Sequence, residues 1–173
     1  PYFSPSKYAG LRDAVPGARE RAARGEVKLG TIDAWLIWKL TGGASHVTDA
    51  TNASRTSLMD LKTLQWRSDL CDLFDVPIEA LPEIRGCADH LGDCHASLFG
   101  RALAIHGSAG DQQAALVGHG ALAAGDAKIT YGTGAFLVAN VGDQPVVSTS
   151  RLLGTLGYAA DGQVAFTLES SIF

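Results

Sequence analysis

Apolar residues recur along this chain in short, interrupted runs, and their spacing predicts helices first and strands later. Over residues 11–25, Leu11, Ala14, Val15 and Ala18 share one side of a helix, followed by a solvated Arg/Glu-rich run that ends at Gly25. Pro16 divides that helix in two. Val27 to Leu29 reads as a short strand. A helix then starts at Thr31 or Ile32, and its Trp35, Leu36, Trp38 and Leu40 wrap most of its circumference, the pattern of a buried helix stopped by Thr41-Gly42-Gly43. At that spacing the two tryptophans read as core rather than as a stacking platform.

Val47-Thr48-Asp49 opens an irregular stretch through Asn52 and Ser54, rich in side chains that bond their own backbone. Ser57 to Leu61 reads as a strand and Asp69 to Phe74 as a helix, while Pro77 and Pro82 bracket a short helix from Ile78 to Leu81. Residues 92–101 read as an exposed loop, and Ala102 to Ile105 as a buried strand. Beyond the glycine-rich Gly118 to Gly125 the pattern turns to strands: Ala127–Tyr131, Ala135–Val141, Leu152–Ala159 and Gln163–Leu168. The last two form a hairpin through Asp161-Gly162.

Composition narrows the class without choosing a function. At 173 residues, with 46% hydrophobic and 18% charged, the chain can bury a core and is not a disordered sequence. A net charge of −4 leaves no basic footprint for nucleic acid. No apolar run spans a membrane and no signal peptide is visible. Cys71, Cys87 and Cys94 form neither a CxxC pair nor a zinc template and read as reduced thiols of a cytosolic protein. Asn52-Ala53-Ser54 matches a glycosylation acceptor formally, but has no secretory context.

Two small-residue motifs carry the candidate chemistry. Gly110-Asp111-Gln112-Gln113-Ala114-Ala115 follows the strand at Ala102–Ile105, and Tyr131-Gly132-Thr133-Gly134 joins two strands. One presents a carboxylate, the other a hydroxyl among exposed amides. A base and a phosphate cradle are the parts that phosphoryl transfer needs most. Each has a plain alternative: Asp111 as the cap of an Ala-rich helix, and Gly132-Thr133-Gly134 as a hairpin turn. The second motif is not a Walker loop, since no Gly-Lys-Ser/Thr follows.

Five segments in order, Pro1-Tyr2-Phe3-Ser4, Gly30 to Thr41, His46 to Thr56, Gly107 to Ala115 and Tyr131 to Phe136, resemble the FGGY family of carbohydrate kinases, and within it the members that phosphorylate glycerol. The resemblance implies an α/β fold, part of an actin-like (ribonuclease H-like) ATPase of two lobes. Residues 1–118 would be the later part of the first lobe and 119–173 the start of the second. It also implies a fragment without kinase activity of its own, because the family's first phosphate loop, its Arg-Glu polyol clamp and its adenosine pocket are not among these residues. The implied reaction takes the γ-phosphoryl group of ATP, with Mg²⁺, to a primary hydroxyl of glycerol, in an enzyme for which the resemblance allows a homo-oligomer.

By the same resemblance Asp111 is the catalytic base, which also holds Mg²⁺ through water. Tyr2 and Gln112 contact glycerol hydroxyls, Phe136 is an apolar wall against its carbons, and Gly132, Thr133 and Gly134 hold the β/γ phosphates. Tyr2 and Phe136 also fit ordinary core packing. The sequence departs from the family pattern at Gly10, where a tryptophan is usual, and near His95 and Arg101, which stand off the register that some members use for regulation. A pentose kinase of the same family and a non-catalytic actin-like binding fragment remain alternatives; the run Thr48 to Thr56 and Tyr2 favour glycerol.

Overall fold

The computed structural model describes residues 3–171 in full and the backbone of Ile172. Helices α1 (Pro5–Ala14) and α2 (Ala18–Ala23) are separated at Val15-Pro16-Gly17, as the proline requires, although α1 starts earlier than its apolar pattern suggests. Val27 to Leu29 joins no ladder, contrary to expectation; Leu29 instead donates its N–H to the Ala80 carbonyl at 2.8 Å. Helix α3 (Ile32–Leu40) follows, then β1 (Val47–Asp49), α4 (Ala50–Ser54), β2 (Met59–Asp60), β3 (Gln65–Trp66) and α5 (Ser68–Leu73). A 3₁₀ turn at Ile78–Ala80 leads into β4 (Glu83–Arg85), which pairs parallel with β1. Next come β5 (Gly92–Cys94), α6 (Ala96–Phe99), β6 (Leu103–Ile105) and α7 (Asp111–Gly118). The chain closes in an antiparallel sheet of order β7-β8-β10-β9, built from β7 (Ala127–Tyr131), β8 (Ala135–Gly142), β9 (Leu153–Ala160) and β10 (Gln163–Ile172).

Four further expectations are corrected. The stretch after Val47 is regular: β1 feeds directly into α4, because Asp49 caps that helix. Residues 92–101 are not a loop but β5 and α6, with Gly92 and Cys94 buried where β5 pairs with β6. Strand β6 is half-buried rather than core, since the ribbon has two strands and Ala104 faces outward. Finally, α3 is not buried all round. The strands packed on it, β1 and β5, meet the side that carries Asp33, Ala34 and Ile37. Ile32, Trp35 and Leu36 stay 68%, 55% and 46% exposed, and Trp38 is half-buried, edge-on to His46.

The expected final hairpin forms, with Asp161 and Gly162 both left-handed (φ 52° and 74°) as the tight turn between β9 and β10 demands. Helix α7 lies across this sheet, and Leu116, Ala121 and Val138 form a small core there. At Gly157 in β9 an added Cβ would stand 3.3 Å from Leu116 Cδ2 and 2.9 Å from Thr167 Cγ2, so only glycine lets the helix settle this close. Helix α4 packs on β9, with Ala50 against Leu156, Ala159 and Phe166. Cys71, Cys87 and Cys94 are unpaired thiols, and burial pushes Cys87 up to about 11. Among the described residues no helix is long and apolar enough to cross a membrane.

A buried carboxylate ties α3 to β1. Asp33 Oδ2 accepts from Thr48 Oγ1 at 2.6 Å, and Oδ1 accepts from Thr31 Oγ1. Burial raises its pKa; the two threonine hydroxyls pull it back, and the Asp49 charge pushes it further up. The folded chain therefore holds this proton more tightly than the unfolded chain does. The group favours folding below about pH 4 and that contribution is lost as pH rises through the folded value. Asp33→Asn should accordingly raise the melting temperature at pH 7, with the gain disappearing below about pH 4; a thermal melt series across pH checks the sign. Leu156→Ala, at a fully buried position between α4 and the sheet, should cost about 2–5 kcal/mol, seen as a lower urea midpoint at unchanged slope.

Candidate active site

Asp49 ends β1 and caps α4, its Oδ1 accepting from the backbone amides of Thr51 at 2.8 Å and Asn52 at 3.1 Å. The residue is fully buried, so its remaining lone pairs need donors as well. They come from Asn52 Nδ2 at 2.6 Å, from the Thr51 hydroxyl, and from Ser108 Oγ at 2.8 Å across the fold. Thr51 Oγ1 in turn accepts from the Gly110 N–H at 2.9 Å. The extended segment before α7 is thus pinned at Ser108 and again at Gly110, one residue short of Asp111.

Gly110 occupies the cap of α7 and Asp111 its first helical position. Asp111 Oδ1 accepts from the Gln112 N–H at 2.8 Å, and Oδ2 accepts from Gln112 Nε2 at 3.2 Å. The carboxylate satisfies one helix amide and sits where the helix dipole favours an anion, yet it remains exposed. Asp111 is therefore not the cap that one reading made it: Gly110 holds that position, and Asp111 bonds the next amide from the first helical position. Asp111 and Gln112 line a cleft of about 640 Å³ together with Ile32, Leu36, Asn52 and Arg55.

Strand β7 passes beneath the start of α7. Lys128 Nζ donates to Gln112 Oε1 and, at 2.7 Å, to Thr130 Oγ1. Thr130 is in register with Phe136 on β8, and Lys128 with Val138, so these four residues share the sheet face that α7 covers. Phe136 is half-buried on that face. The turn beyond Tyr131 is closed by the Gly132 N–H bonding the Gly134 carbonyl at 2.9 Å. Gly132 and Thr133 are exposed, and a Cβ at Gly132 would meet nothing within 4 Å, which leaves the turn open to a ligand. At about 3.3 Å per residue this turn lies about 13 Å along β7 from Lys128. Of the expected site residues, the fold brings Asp111, Gln112 and the Phe136 face around one helix start, and sets Thr133 and its glycines at the strand end beyond. Tyr2 lies outside the described residues.

Four contributors, Asp49, Lys128, Thr130 and Arg55, are not legible as site residues along the chain. Asp49 stood inside a motif, and its spacing to Thr51 and Asn52 is a readable cap signal. Lys128 and Thr130 alternate just ahead of the turn, but nothing local tells that this strand face is covered. Arg55, at the end of α4, forms an ion pair with the nearly buried Glu169 on β10 and sits 4.9 Å over the Phe3 ring. That pair joins residues more than a hundred apart and has no sequence signature. Among the described residues no cluster of three or more His, Cys, Asp or Glu could hold a metal ion, so a cation at this site would depend on Asp111, water and a ligand's own oxygens.

The model of the FGGY family of carbohydrate kinases, N-terminal domain, matches residues 1–118. The glycerol kinase of Ectopseudomonas mendocina is 51% identical over all 173 residues, and that of Roseobacter denitrificans 53%; in each case the chain covers 35% of the relative. The chain thus spans about a third of the length of these relatives. Among solved structures, Plasmodium falciparum glycerol kinase with ADP superposes with a TM-score of 0.92 at 38% identity, over 98% of this chain and 34% of that one. A xylulose kinase from Rhodospirillum rubrum shares the fold alone, with a TM-score of 0.79 at 20% identity over 98% of this chain and 33% of that one. The fold is accordingly part of the actin-like ATPase architecture, and the chain belongs to the FGGY family of carbohydrate kinases.

Proposed function

We propose that this chain forms part of an enzyme that transfers the γ-phosphoryl group of ATP to glycerol, giving glycerol 3-phosphate, in the cytosol. The observation that carries the reaction type is the exposed Asp111 carboxylate, held by Gln112 at a helix start that Asp49 anchors from behind. High identity to glycerol kinases along the whole chain, against weak identity to xylulose kinases, supports glycerol over a pentose. Residues 1–118 belong to the first lobe and residues 119–173 open the second, a division supported by where the family match ends.

Asp111 accepts the proton of the attacking hydroxyl. Phosphoryl transfer passes through a loose transition state with little bond formation to the attacking oxygen, so the proton leaves late and a well-placed weak base suffices. Gln112 and Tyr2 hold hydroxyls of the polyol, and Phe136 backs its carbons. Gly132, Thr133 and Gly134 receive the β/γ phosphates, as the open turn allows. Mg²⁺ suits a site of one exposed carboxylate, since it keeps several waters and relies on substrate phosphates; when bound it neutralises phosphate charge.

In a full-length enzyme carrying these residues, Asp111→Asn should lower turnover by about 10²–10⁴ with the fold intact, as coupled assay and circular dichroism would show. Near-normal turnover would reduce Asp111 to a helix-end residue. Tyr2→Phe and Gln112→Ala each remove a hydrogen bond worth about 0.5–1.5 kcal/mol, and should raise the Michaelis constant for glycerol more than that for ATP. Assaying xylulose and ribulose beside glycerol tests the substrate choice directly.

A further inference from the structure

Strand β7 buries its polar side. Lys128 is 3% exposed while its neighbour Ile129 is 47% exposed, the reverse of what Lys-Ile-Thr-Tyr suggests for a half-solvated strand. A buried ammonium is tolerated only with good hydrogen-bond partners, and no ion pair involves Lys128 among the described residues. Its Nζ donates instead to Gln112 Oε1 and to Thr130 Oγ1. An ammonium offers donors alone, so of the two ends of the Gln112 amide only the oxygen can face it. The NH₂ end is thereby turned toward Asp111, where one N–H reaches Oδ2 at 3.2 Å. One further N–H is left for a ligand.

We propose that Lys128 is a positioning residue that fixes the polarity of the substrate hydrogen bonds: by capturing the Gln112 carbonyl oxygen it makes Gln112 a donor to the polyol. A hydroxyl lodged between Gln112 and Asp111 then accepts from the amide and points its own hydrogen at the carboxylate. That is the direction in which a base must take the proton. The inference rests on Gln112 and Asp111 acting as proposed above. It also gives β7 a second duty, because the strand that ends in the phosphate turn is tied by this lysine to the helix that carries the base.

The test is a double-mutant cycle on the full-length enzyme, with initial rates measured against glycerol at saturating Mg-ATP and against Mg-ATP at saturating glycerol. Lys128→Met should raise the glycerol Michaelis constant about tenfold and leave that for ATP within about twofold. In the Gln112→Ala background the same change should move the glycerol constant by less than about twofold, since the group it orients is gone. Additive effects, or equal rises for both substrates, overturn the proposal while the functional reading stands. A folded wild type inert toward glycerol overturns both. If Lys128→Met does not fold, Lys128→Arg keeps the cation but displaces its donors, and the cycle is run with that variant under the same criteria.

Discussion

The carboxylate of Asp49 is the constraint on which the rest of this structure depends. A fully buried carboxylate must have its lone pairs satisfied, and here the donors lie in α4 and in the segment before α7, more than fifty residues apart in sequence. Meeting that demand closes β1 onto α4 and holds Ser108 in place. Through Thr51 it also holds the Gly110 amide. The helix that follows has little freedom in where it starts, and its first side chain is Asp111. A buried carboxylate with one partner would be a liability; with five nitrogen and oxygen donors and the Cys87 thiol it becomes a fixed point for the neighbouring exposed carboxylate.

The sheet that follows is built inside out relative to a simple amphipathic expectation. Lys128, Asn140, Thr155, Thr167 and Glu169 are all nearly buried on the face beneath α7 and α4. Each finds a partner there: Lys128 on Gln112, Asn140 Nδ2 on the Ala121 and Leu122 carbonyls, Thr155 on Thr167 at 3.0 Å, and Glu169 on Arg55. A polar layer between helix and sheet specifies register more sharply than an apolar one, since a slip of one residue would strand every group. It also places the Lys128 cation under the start of α7. Apolar packing flanks it in two small clusters, Leu116, Ala121 and Val138 in one and Ala50, Leu156, Ala159 and Phe166 in the other.

Much of this was legible along the chain. Pro16 separated two helices, the Asp161-Gly162 turn joined two strands, and the four strands after Gly125 lie within a few residues of where alternation put them. Those signals are local: a missing N–H, a left-handed turn, a period of two. The two chemical motifs were equally visible, because a carboxylate after Ser-Ala-Gly and a Gly-Thr-Gly between strands are patterns of adjacent residues, and the family resemblance rested on them.

What the sequence by itself determined, then, was the type of most elements, the candidate groups and the family; the turns of chain at 27–29, 47–54 and 92–101 took their form from contacts made elsewhere. Which face of each element is covered was decided by tertiary structure alone. Helix α3 has apolar residues around most of its circumference, yet only the side toward β1 and β5 is buried; β7 alternates polar and apolar, yet the polar side is the one enclosed. Periodicity reports that two faces differ, not which of them a distant helix will cover. Covering a face depends on contacts between residues far apart in the chain, such as Lys128 with Gln112 or Ser108 with Asp49, and these exist only once the chain has folded back on itself.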